Sequence, residues 1–167
     1  MEYVELLEIL SRGEDSQHQF KRNMTNTDAV VAEMVAFSNG TGGKIFIGVD
    51  DKGIITGLST EDIQRLNQLV SNAAIQGVKP AINPVTENVM TADGLVMLID
   101  ISAGINKPYQ DKDGVFWVKS GSDKRRATSR EEIQRMFQKS NLLHADVVPV
   151  QGLSVSDLDL EYFEHFF

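Results

Sequence analysis

The stretch DAVVAEMVAFSNGTGGKIFIGVDDKGIITG, from Asp28 to Gly57, decides how the rest of the chain is read. Val30, Met34 and Phe37, with Val31 and Val35 beside them, recur at helical spacing and form an apolar stripe. Thr27 or Asp28 is placed to cap that helix at its start. Asn39 and Gly40 offer the left-handed backbone that closes a helix, and Thr41-Gly42-Gly43 makes the turn after it. Lys44 to Val49 is a short apolar run rich in branched residues, so it reads as a strand buried on both faces. Asp50-Asp51-Lys52-Gly53 carries hairpin chemistry, and Ile54 to Gly57 is expected to return as the partner strand.

Upstream, Glu2 to Leu10 carries Val4, Leu6, Leu7, Ile9 and Leu10 as a short amphipathic helix ended by Gly13. Glu14 to Lys21 reads as an extended segment. Downstream, Ser59-Thr60-Glu61-Asp62 starts a helix that Gly77 and Pro80 end. Asn83 to Met90 and Leu95 to Ile101 form a hairpin around Ala92-Asp93-Gly94. Val115 to Lys119 is a strand, and Ser129 with Glu132 is a capping box opening a last helix whose apolar face is Ile133, Met136 and Phe137. The expected fold class is α/β (α+β): helices packed on a mixed, mostly antiparallel sheet. One domain over 1–140 is expected, followed by an acidic, apolar tail over 141–167 that reads either as the start of a further domain or as a docked helix.

The composition is that of an ordinary globular protein, with 41% hydrophobic and 24% charged residues. No run approaches the roughly 18 apolar residues of a membrane span. No signal peptide is visible and there is no cysteine, so a cytoplasmic location without disulfides or thiolate metal sites is expected. The net charge of -8 opposes nucleic-acid binding only until its distribution is considered. The tail holds five acids (Asp146, Asp157, Asp159, Glu161, Glu164) and no Lys or Arg, whereas Lys119 to Lys139 holds seven bases against three acids. Segregation of this kind permits a basic face on an acidic chain.

Phe37-Ser38-Asn39, Gly42-Gly43 and Ile47-Gly48-Val49-Asp50-Asp51 together resemble the signature of the Schlafen/AlbA-like family, also called divergent AAA. Gly13-Glu14 with Gln19-Phe20-Lys21 upstream, and Lys107-Pro108-Tyr109 and Phe116 to Ser122 downstream, match the same pattern in order and spacing. The resemblance implies the Schlafen AlbA-like fold and a nucleic-acid-binding domain of a bacterial transcriptional regulator. In that reading DNA or RNA is the partner, further C-terminal domains belong to the full-length protein, and no cofactor is expected. The contacts to phosphate fall to Lys119, Ser120, Ser122, Lys124, Arg125, Arg126 and Arg130, on a strand end, a Ser-Gly-Ser loop and a helix start, with Lys21 and Arg22 beside them.

Two alternatives stay open. In animal Schlafen proteins a similar domain is a metal-dependent ribonuclease in which three acids hold Mg²⁺ or Mn²⁺. Carried over, Glu14 matches the first acid and Asp50 or Asp51 the third, with Lys21 as a helper; the second position is Gln19, an amide that holds a hard cation weakly. Asp50 and Asp51 also read as plain turn residues. The other alternative is a homodimer built by the N-terminal helix and the apolar tail. The glycine loop is not read as a phosphate cradle, because it follows a helix and precedes a strand, the reverse of the order such a cradle needs.

Overall fold

The computed structural model describes residues 1–140. Within them the order is α1 (Tyr3–Arg12), β1 (His18–Lys21), α2 (Thr27–Asn39), β2 (Gly42–Ile47), α3 (Thr60–Asn72) continued by a π-helical turn (Ala73–Gly77), β3 (Val78–Lys79), β4 (Val85–Thr91), β5 (Gly94–Ser102), β6 (Gln110–Asp111), β7 (Trp117–Ser120), β8 (Asp123–Arg126) and α4 (Arg130–Lys139). The expectations for 141–167 lie outside the described residues.

The main sheet has the order β1-β2-β5-β4. Its β1–β2 pair is parallel, and its other two pairs are antiparallel. The parallel pair needs a crossover, and α2 supplies it. Alternation along β2 explains its unbroken apolar run. Ile45 and Ile47 join the core beneath α2 and α3, and Phe46 joins the core beneath α1. Helices therefore cover both faces of this strand, and each large side chain so buried contributes about 1.5–3 kcal/mol. Central α2 is buried from Val30 through Ser38, nearly all round.

Two glycines set the start of β2. Gly42 has φ +84°, and a Cβ there would stand 2.7 Å from the Ile101 carbonyl oxygen. A Cβ on Gly43 would fall 2.2 Å from the Phe37 ring. The start of β2 runs too close to β5 at Gly42 and to α2 at Gly43 for a side chain at either position.

Four local readings are corrected. Asn26, not Thr27 or Asp28, caps α2, accepting from the Asp28 and Ala29 amides at 2.9 and 3.2 Å. Gly40 closes α2 at φ -88°, outside the left-handed region. The stretch Ile54 to Gly57 makes one bridge, Val49 to Ile55, and not a strand, because β1 and β5 already occupy both edges of β2. The basic run Asp123 to Arg126 is a strand paired with β7, not loop. The Ser59 expectation holds as a full capping box with Asp62, and the hairpin around Ala92-Asp93 forms as β4–β5.

Candidate nucleic-acid interface

The hairpin β7–β8 positions most of the expected basic residues. Its register sets Trp117 opposite Arg126 and Lys119 opposite Lys124. Directly opposed residues share a face of a hairpin, so these four side chains project together. That face lies on α2. There the Lys119 ammonium stands 4.8 Å from the Phe37 ring centroid, 3.8 Å from Glu33 Oε2, and donates to the Ser122 carbonyl at 2.7 Å. The Lys124 ammonium donates to Glu33 Oε1 at 2.7 Å.

Glu33 was legible in the sequence only as a polar interruption of the stripe VVAEMVAF, and its role was missed. The side chains of Glu33 and Lys119 are 4% and 8% exposed, and that of Lys124 is 26% exposed. Burial pulls Lys119 below the usual lysine range, while Glu33 pulls the other way. Lys119, expected at a phosphate, stands here beside an interior carboxylate, and Lys124 shares that carboxylate from a half-covered position.

The opposite face of the hairpin meets α4. Arg125 reaches both oxygens of Glu132, at 2.6 and 2.9 Å. This bidentate bond holds the Glu132 carboxyl below its ordinary range. Ser129 accepts from the Glu132 amide at 3.1 Å, but the Glu132 carboxylate is turned to Arg125, so the expected capping box is only half formed. Arg125 remains 51% exposed. Arg126 lies over the Trp117 ring, 5.1 Å from its centre, and is exposed, as is Arg130 at the start of α4. Neither Arg126 nor Arg130 has an acid within ion-pair distance among the described residues. Ser120 is exposed and Ser122 half-buried at the hairpin tip.

That tip is tied to β1. Gln19 donates from Nε2 to the Ser122 carbonyl at 2.7 Å. Gln19 and Lys21 pair with Ile45 and Ile47, so they share the sheet face that carries α2. Lys21 stands 3.8 Å from Glu14 and is about one-third exposed. Arg22 turns away to Asp50, 3.2 Å distant, and is 72% exposed.

A second polar knot fixes the hairpin from behind. Asn39 accepts from the Tyr109 amide at 2.6 Å and donates to the Tyr109 and Trp117 carbonyls at 2.8 and 2.9 Å. The Phe37-Ser38-Asn39 and Lys107-Pro108-Tyr109 signatures, 68 residues or more apart in sequence, are thus two halves of one joint.

The candidate metal acids are not brought together. Asp50 Oδ1 accepts the Lys52 and Ile54 amides, each at 2.9 Å, and Oδ2 faces Arg22. The Ile54 amide, with the Lys52 amide and Arg22, holds the Asp50 carboxyl below 3.8. Asp51 is exposed on the turn. Glu14 Oε1 accepts the Phe20 amide at 2.7 Å. Among the described residues no three His, Cys, Asp or Glu gather as a cation would need. At Asp50 the turn amides occupy Oδ1 and the Arg22 guanidinium stands on Oδ2, where a cation would have to displace it.

Comparison with known proteins agrees with this architecture. The family model described as Schlafen, AlbA_2 matches residues 14–128. The DIP2311 protein from Corynebacterium diphtheriae has a similar fold, with TM-score 0.54 and 20% identity over 72% of this chain and 24% of that one. The match therefore spans about a quarter of that longer protein. The N-terminal domain of a RecG-related protein from Nitrosomonas europaea, provisionally named an ATP-dependent DNA helicase, matches with TM-score 0.52 and 23% identity, over 75% of this chain and 94% of that domain. A search of curated proteins found no significant match. No helix among the described residues is long and apolar enough to cross a membrane. Because the family model takes in well over half of its residues, this chain belongs to the Schlafen AlbA_2 family.

Proposed function

We propose that this domain binds nucleic acid, DNA in the first instance, by phosphate contacts from Arg126, Arg130 and Arg125, with Lys124, Ser120, Ser122 and Lys21 at the margin. The observation that carries this reading is the exposed arginine series running from β8 into the first residue of α4. Arg126 and Arg130 carry charge that no acid offsets among the described residues. Arg125 is offset by Glu132 but remains half exposed, so a phosphate competes there with a carboxylate. Trp117 holds the Arg126 guanidinium in place from one side and leaves its outer edge open to an anion. Family membership supports the same class of partner.

Contacts of this kind hold a polyanion without reading base edges, so binding is expected to be broad in sequence and steeply dependent on salt. A role in a bacterial transcriptional regulator, in the cytoplasm and with further domains following, is the finer form of the same proposal. The test is fluorescence anisotropy with labelled single- and double-stranded DNA and RNA at low salt. Arg126→Ala with Arg130→Ala is expected to weaken binding to every sequence alike. Unchanged affinity in that double variant refutes the assignment.

A further inference from the structure

Among the described residues the main sheet has one guarded edge and one open edge. At the β1 edge, the strand is four residues long and the β7–β8 tip is bonded to it through Gln19. At the other edge lies β4, seven residues with the sequence VTENVMT, paired to β5 without a break. Natural sheets protect open edges with lysine, proline or a bulge. Within β4 there is none of these, and its single charge, Glu87, is engaged by the Met1 ammonium.

Exposed apolar side chains flank this edge on both faces of the sheet, Val85 on the side of α1 and Met90 on the opposite side. Of the eight large hydrophobic residues exposed among the described residues, five are Tyr3, Val4 and Leu7 on α1 and Val85 and Met90 on β4. The contact between Met1 and Glu87 sets the first turn of α1 beside this edge.

We propose that β4 is a self-association edge, pairing antiparallel with β4 of a second copy of this chain about a two-fold axis at Asn88. The register follows from the hairpin. A two-residue turn makes the Thr91–Gly94 pair a hydrogen-bonded one, so the backbone groups of Thr86, Asn88 and Met90 point outward. An axis at Asn88 sets Asn88 against itself and Thr86 against Met90, and uses all three outward residues. Val85 then meets Thr91, and Glu87 meets Val89, so no like charges stand directly opposed. A two-fold contact requires such self-complementarity, because the same patch must serve both partners. A foreign strand of fixed sequence would not need it, which is why the second copy is the occupant chosen.

The test needs no nucleic acid, so its outcome is independent of the proposed function. The chain holds no cysteine, which makes an introduced thiol unambiguous. Asn88→Cys is expected to form a covalent dimer on treatment with diamide, since paired residues at a two-fold lie within disulfide reach. Gln64→Cys, exposed on α3, is the control and is expected to stay monomeric. In sedimentation velocity the unmodified full chain is expected to show a concentration-dependent dimer, which Met90→Lys abolishes. Met90 is 73% exposed, so its replacement leaves the core intact, and circular dichroism checks the fold. Three results overturn the proposal: a monomer at every concentration, a dimer untouched by Met90→Lys, or cross-linking of Asn88→Cys no faster than that of Gln64→Cys.

Discussion

Replacing Glu33 with glutamine removes one negative charge from beneath two ammonium groups. In the native protein Glu33 Oε1 accepts from Lys124 at 2.7 Å, Oε2 faces Lys119 at 3.8 Å, and the Glu33 side chain is 4% exposed. An amide of the same shape still accepts one hydrogen bond but offsets no charge. The Lys119 ammonium, 8% exposed, then lies over Phe37 without a counterion. Breaking a buried pair by removing one partner costs about 3–5 kcal/mol, far more than loss of a surface pair at about 0–1 kcal/mol. For a chain of this size each kcal/mol lowers the midpoint by about 2–4 °C, so Glu33→Gln is expected to unfold about 10 °C earlier. Urea unfolding with an unchanged slope checks that the loss is of stability and not of compactness. Lys119→Met added to Glu33→Gln is expected to recover part of the loss, because it removes the stranded charge. A midpoint within a degree of wild type for Glu33→Gln, or no recovery in the double variant, refutes the claim that this carboxylate is an interior counterion.

Asn39→Ala deletes three hydrogen bonds that join α2 to the Tyr109 and Trp117 backbone, and is expected to cost about 2–3 kcal/mol by urea unfolding. Gly43→Ala puts a methyl group into the Phe37 ring and is expected to lose about 1–3 kcal/mol in the same assay, whereas Gly121→Ala, with open space around it, costs only the strain of its positive φ. Asp50 has a depressed folded-state pKa, so its contribution to stability is complete above 3.8 and fades as pH falls through the lower folded value. Asp50→Asn keeps the turn acceptor but does not titrate; thermal melts below pH 4 are expected to show a shallower acid dependence for the variant than for wild type.

The main architecture was legible because the signals were redundant. An unbroken run such as Ile45-Phe46-Ile47 has to be covered on both faces, and α1 and α2 do so. The two Gly at 42 and 43 are demanded by the approach to Ile101 and Phe37, which no turn rule would reveal. The return strand from Ile54 failed for a topological reason: turn chemistry at Asp50 is local, while the edges of β2 are decided by partners about 26 and 50–60 residues away. The strand β8 was missed since Asp-Lys-Arg-Arg shows no apolar alternation; its α2 face is satisfied by an acid and a tryptophan instead of a hydrophobic layer. That same substitution hid the roles of Lys119 and Lys124. Clustered bases in a sequence say nothing of which of them a buried Glu33 has already claimed.

The most direct test of the interface is the slope of log affinity against log salt for double-stranded DNA. Each phosphate contact contributes a slope of about 0.9, so Arg126→Ala with Arg130→Ala is expected to flatten it by about 1.8. Lys79→Ala, an exposed lysine on β3, serves as the control and is expected to leave it unchanged. Equal slopes for wild type and the double arginine variant, or no binding by wild type at low salt, contradict an interface built on the β8–α4 arginines.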